Sequence, residues 1–112
     1  MSAVRLNRRL ILEAPQRLGD GAGGFTQAWI ALGEVWADVR ARAGREKAGE
    51  AVAISTVGYK IVVRGAPYGS DQRPQPDQRF REGARLFRIL AVAERDPEGR
   101  YLTCFAEEEV AA

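Results

Sequence analysis

The chain has 112 residues, which fits one small domain spanning 1–112 and is too short for two. Its 17 Lys plus Arg nearly balance 15 Asp plus Glu, for a formal charge of +2, and 46% of residues are hydrophobic, which excludes wholesale disorder. There is no histidine and a single cysteine, Cys104, so His-based triads, His metal sites, an internal disulfide and a zinc centre are all excluded.

Met1-Ser2-Ala3-Val4-Arg5 leads into a basic amphipathic stretch with no apolar signal core. No run approaches the ~18 apolar residues of a membrane span, so a reducing cytoplasm, or a particle assembled there, is the expected setting. Arg8-Arg9-Leu10-Ile11-Leu12-Glu13 reads as a first strand ended by Ala14-Pro15, because proline cannot donate to a ladder. The glycine-rich run 19–24 between apolar segments predicts a hairpin connection. Residues 25–32 form a second strand, broken by Gly33. From 34 to 40 the alternation is clean, with Val35, Ala37 and Val39 on one face and Glu34, Trp36, Asp38 and Arg40 on the other.

After Gly44 the pattern changes, and 45–53 reads as a short, marginal helix interrupted by Gly49. Period two returns at Val57, Tyr59, Ile61 and Val63. The segment 65–83, opening at Gly65 and closing at Gly83, has three Pro, three Gly and almost no aliphatic side chain. It is expected to add little to a core and to be mobile in a free subunit. Residues 85–93 and 100–106 return to strand, joined by the turn Asp96-Pro97-Glu98-Gly99. Tyr101, Thr103 and Phe105 then face one way, and Leu102 and Cys104 the other. About six short strands at spacings near ten residues predict a mainly β fold, a small antiparallel barrel or sandwich with one short helix and a long Pro/Gly-rich loop.

The basic side chains are 15 Arg and only two Lys, and they cluster at 5–9, 40–47 and 73–88. Arginine's planar fork suits phosphate, so the clusters read as a surface facing nucleic acid without reading sequence. An ordinary salt-bridged surface accounts for them as well. Residues 1–17 hold four Arg and one Glu, whereas 94–112 hold six acids against Arg95 and Arg100. Such asymmetry suits head-to-side packing of identical subunits, or simply a solvated acidic tail. Trp29 reads as core. Trp36, on the polar face of its strand, suits an intersubunit contact. Tyr59, Phe87, Tyr101 and Phe105 read as core or barrel-lining. The glycine run lacks the Lys-Ser/Thr ending of a phosphate loop, and Cys104 has no base beside it. No catalytic constellation is visible, so no enzyme, metal or cofactor is expected.

The order of segments resembles the phage head–tail joining, or head-closure (stopper), family of tailed-phage connectors. The resemblance is carried by L-N-R-R-L-I-L-E-A-P, G-G-F-T-Q-A-W, E-V-W-A-D-V, G-R-E, Y-K-I-V-V-R-G, R-F-R-E-G-A-R-L-F-R-I-L-A-V, the turn at Asp96 and Y-L-T-C-F-A-E-E. Together these pieces cover nearly the whole chain. Gene transfer agents, which are domesticated phage-like particles, carry similar proteins. The resemblance implies a small β-barrel forming a homo-oligomeric ring of roughly six or twelve copies. That ring would lie between the portal or adaptor ring above and a tail terminator or tail tube protein below. It would close the channel over packaged double-stranded DNA, without sequence specificity, and give the tail its platform in a particle assembled in the bacterial cytoplasm. On that footing Arg42, Arg45, Lys47, Arg73, Arg79 and Arg81 are the DNA-channel candidates. Arg8, Arg9, Trp36, Glu107, Glu108 and Glu109 are the ring-interface candidates. The chain departs from the family in its longer, Pro-rich segment 65–83. The alternative is a monomeric OB- or SH3-like barrel that binds nucleic acid through exposed aromatics interleaved with Arg.

Overall fold

The alternating segments become antiparallel strands in the computed structural model, which describes residues 3–42, 45–46 and 54–111. The strands are β1 (Arg8–Gly19), β2 (Phe25–Ala41), β3 (Arg45–Glu46), β4 (Ile54–Arg64), β5 (Arg79–Glu82), β6 (Arg85–Glu94) and β7 (Tyr101–Ala111). Their order is β2-β1-β5-β6-β7-β4-β3, and β2 also pairs with β4 from Ala37↔Val63 to Ala41↔Tyr59. That extra pairing closes the sheet on itself, with β3 continuing the β2 side of β4. Closure lets one apolar face pack against itself and removes most free edges.

The core is what the period-two pattern dictates. Leu10, Leu12, Ala37, Ile61, Val63, Phe87, Ile89, Leu102, Cys104 and Ala106 point inward and are essentially without solvent exposure. Burial of Cys104 pushes its thiol up to about 12, so it is a small hydrophobe and not a thiolate.

Strand β1 does not end at Pro15 but runs to Gly19, and Pro15 pairs with Trp29 of β2. Pairing of β1 with β5 stops at Glu13, so Pro15 lies where the strand has one neighbour, and there a missing N–H is tolerated. Nor does Gly33 break β2. It sits at a register shift opposite Leu12/Glu13, with φ +154°, and lets a 17-residue strand bend out of the barrel. The helix expected over 45–53 begins as strand, because Arg45 and Glu46 pair with Thr56 and Ser55; residues 47–53 lie outside the described residues. The segment 65–83 does contribute to the core: Phe80 on β5 and Pro74 are both fully buried. Its path is fixed by turns at 67–70 and 70–73 and by a reciprocal pair, Asp77 N–H to Ile89 O at 3.0 Å and Ile89 N–H to Gln78 O at 2.9 Å. It leaves the barrel at Gly65, where a β-carbon would lie 2.1 Å from the carbonyl oxygen of Gly99, an approach only glycine permits. Tyr101 and Phe105 face outward and are half-buried, while Phe87 is core and Tyr59 is half-buried.

The glycine-rich hairpin prediction holds. Asp20 closes the tip by accepting the amide protons of Ala22 (2.8 Å) and Gly24 (3.0 Å). Among the described residues, β1 and β2 pair beyond Glu13 only with each other. Residues 14–19 and 25–30 therefore project from the barrel as a two-stranded arm about 20 Å long.

Candidate functional site

One end of the barrel is closed by charge. Arg8, Glu82, Arg85, Glu108 and Tyr59 extend the inward rows of five strands beyond the apolar core. Arg85 donates to Glu108 through Nε (2.8 Å) and Nη2 (3.0 Å), and to the Tyr59 hydroxyl (3.0 Å). Tyr59 in turn donates to Glu108 at 3.3 Å, and its ring meets Phe87 edge-on with centroids 5.0 Å apart. Arg8 pairs with Glu82, its Nε at 2.9 Å from Oε2. Hydrogen bonds from Arg8 and Arg85 hold the carboxyls of Glu82 and Glu108 below the ordinary range, against burial. Two of the proposed ring-interface residues, Arg8 and Glu108, are thus committed inside their own subunit.

A second cluster anchors the arm. Burial opposes ionisation of Glu13, but hydrogen bonds from Arg81 Nε (2.9 Å) and Arg79 Nε (2.7 Å) outweigh it and lower its pKa. Arg79 also stacks over Trp29 of the arm at 3.9 Å. Trp29 is accordingly half-buried under a guanidinium, not in the core.

These carboxylates give stability a definite pH dependence. The folded-state pKa values of Glu13, Glu82 and Glu108 lie below the ordinary 4.5, so the folded state binds fewer protons than the unfolded chain. Their contribution is complete above 4.5 and is lost as pH falls through the depressed values. The melting temperature is expected to be flat from about pH 7 to 5.5 and to fall steeply below about 4.5. A scan of thermal melts in that range, followed by circular dichroism, checks this, and a constant melting temperature down to pH 3 would contradict it.

The outer face of β2, β4 and β7 carries a basic row. Arg40 lies opposite Lys60, which lies opposite Phe105, and Arg42 reaches over the Phe105 ring at 5.6 Å. Arg40 is bound to Asp38 at 2.9 Å, and Asp38 also accepts the backbone amide of Arg5 at 2.9 Å. Among the described residues Arg42 and Lys60 have no ion-pair partner.

The channel candidates do not form one cluster. Arg42 belongs to this basic row. Arg45 lies on β3 beside it in sequence, and Lys47 lies outside the described residues. Arg73 stacks on Tyr68 (3.8 Å) and donates to the Ala66 carbonyl (2.9 Å) within the 65–78 loop. Arg79 and Arg81 sit at the arm's base on β5. Of the remaining interface candidates, Arg9 is exposed with Glu34 at 3.9 Å. Trp36 is 54% exposed beside a shallow recess lined by Glu34, Arg64 and Gln72, where β2 parts from β4. Glu107 and Glu109 reach the outer surface of β7. Arg40 and Arg85 belong to the basic clusters the sequence displays, but their pairing with Asp38 and Glu108 is not legible in it. The carboxylates Glu13 and Glu82, and Lys60 opposite Arg40, are not singled out by it. Their only signal was a buried-face or outer-face position in the alternation.

The chain matches the family described as phage head completion protein over residues 1–109. Among solved structures it is similar to a chain of the virion of a native gene transfer agent particle. The two share 63% sequence identity and a TM-score of 0.86, covering 96% of this chain and 98% of that one. No curated protein matches it.

Proposed function

The chain belongs to the phage head completion protein family, and on that premise we propose that it forms a ring between the portal or adaptor and the tail of a phage-like particle, closing the DNA channel and seating the tail. Its role there is structural and not catalytic. The observation that carries the reading is the near-complete match, at 63% identity, to a chain of a gene transfer agent virion.

The geometry supports it physically. The ion pairs Arg8–Glu82 and Arg85–Glu108, with Tyr59, tie five strands together at one end of the barrel, which favours a structural part. The exposed Trp36 and the projecting arm supply surfaces for neighbours on different sides, as a head-to-tail ring requires. Arg42 and Lys60 have charge to offer phosphates and carry no base-reading geometry, so the outer β2–β4 face is the side we place toward DNA. Arg79 and Arg81, held by Glu13, act mainly within the subunit.

Deleting the gene from its particle-producing strain tests the proposal. Heads that fill with DNA, lack tails and lose their DNA to nuclease are the expected result. Tailed particles with protected DNA would overturn it, and salt-dependent binding of single strands by the isolated monomer would then favour a free nucleic-acid-binding barrel.

A further inference from the structure

The arm has two faces set by the β1–β2 register. Pro15, Arg17, Trp29, Gln27 and Phe25 share one, and Gln16, Leu18, Ala28 and Ile30 share the other. Leu18, Phe25 and Ile30 are 44%, 63% and 42% exposed. An isolated ribbon of two strands is marginal in water, and unpaired edges with apolar side chains mark a contact surface. At the tip, Arg17 lies over the Phe25 ring at 4.4 Å and has no carboxylate partner among the described residues.

A complementary surface exists on the same chain. The base of the arm and the β5–β6–β7 wall flank an open groove, with Trp29 and Gln27 on one side, Leu86, Glu107 and Glu109 on the other, and Arg79, Arg88 and Asp77 also in its lining. Leu86 is 40% exposed, and a bulge between Ile89 and Ala91 turns Leu90 outward at 46%. Glu107 and Glu109 have no ion-pair partner among the described residues. The groove's two arginines are engaged, Arg79 by Glu13 at 2.7 Å and Arg88, which stands opposite Glu107, by Asp77 at 3.4 Å. The groove thus offers Trp29 and Leu86 as apolar contacts beside two carboxylates without an ion pair, and the arm tip offers an aromatic ring and a guanidinium without a carboxylate partner.

We propose that the arm tip of one copy seats in this groove of the next copy, with Phe25 between Trp29 and Leu86, and Arg17 facing Glu107 and Glu109. The two surfaces are different patches of one chain, so the contact is heterologous and propagates from copy to copy until a ring closes. This rests on the ring reading above and names the contact that builds the ring.

The test places a photo-crosslinking benzoylphenylalanine at Phe25 in particles produced by the native strain. Irradiation is expected to give covalent dimers and higher multiples of this chain, with the link mapped to the β6 peptide containing Leu86. Arg17→Glu is expected to cut that product at least tenfold, and combining it with Glu107→Arg and Glu109→Arg to restore it. Links to a different particle protein, or an unchanged yield in the Arg17→Glu variant, would overturn the arm contact. Failure of the ring reading looks different, because particles lacking the gene would then keep their tails and protected DNA.

Discussion

Replacing Phe80 with alanine is expected to lower the unfolding free energy by about 3–5 kcal/mol, a large part of the stability of a domain this size. Phe80 has no solvent exposure and lies between Leu12 of β1 and Phe87 of β6 in the cross-strand registers. Truncation leaves a cavity at the point where the four-residue β5 joins two halves of the barrel. The melting temperature should drop by roughly 12–20 °C, and urea unfolding followed by circular dichroism measures the loss directly. If the alanine variant does not fold, Phe80→Leu serves instead, with an expected loss of about 1–1.5 kcal/mol. A change in Phe80→Ala below about 1 kcal/mol would mean that this side chain is not in the core.

Glu13→Ala is expected to have a different signature. It removes the carboxylate that receives both Arg79 and Arg81, whose side chains keep partial access to water at 21% and 41%. Because those guanidinium groups can rehydrate, the cost should be about 1–3 kcal/mol, less than for a fully buried pair. The loss is local. Hydrogen exchange is expected to accelerate over residues 14–31, where the arm loses its anchor, while amides of β4 and β7 stay protected. Uniform acceleration across the barrel would contradict the assignment of Glu13 as the arm's anchor.

The parts of the fold legible in the sequence were those with strong local period. Val35, Ala37 and Val39 face inward or pack on the core, as do Ile61, Val63, Leu102 and Cys104. The hairpin at 19–24 was readable because glycine and Asp20 supply the turn chemistry. What escaped was non-local. Strand β5 has a single inward apolar residue amid Arg and Glu, inside a Pro/Gly-rich segment, so no window of sequence announces it. It forms because β1 and β6 offer edges on both sides. Pro15 looked like a terminator because only tertiary pairing shows that its strand has one neighbour there.

The same holds for the charged sites. The sequence displays arginine clusters but not their partners, and Glu13 meets Arg79 and Arg81 across 66 and 68 residues. Clusters contiguous in sequence are divided by the barrel into an anchoring set, a loop set and a solvent-facing row. Arg42 and Lys60 stand together only because β2 and β4 pair. Simple alternation puts Trp36 on the outer face of β2, where it is 54% exposed.

The proposed closure of the head by a ring of this chain at the head–tail junction can be seen in the particle itself. Electron cryo-microscopy of purified particles, focused on the neck, tests it most directly. The expected result is a closed ring of copies there, with the β2–β4 face toward the DNA and each arm lying on its neighbour's β6–β7 wall. A neck without this chain, or copies that do not touch one another, would contradict it.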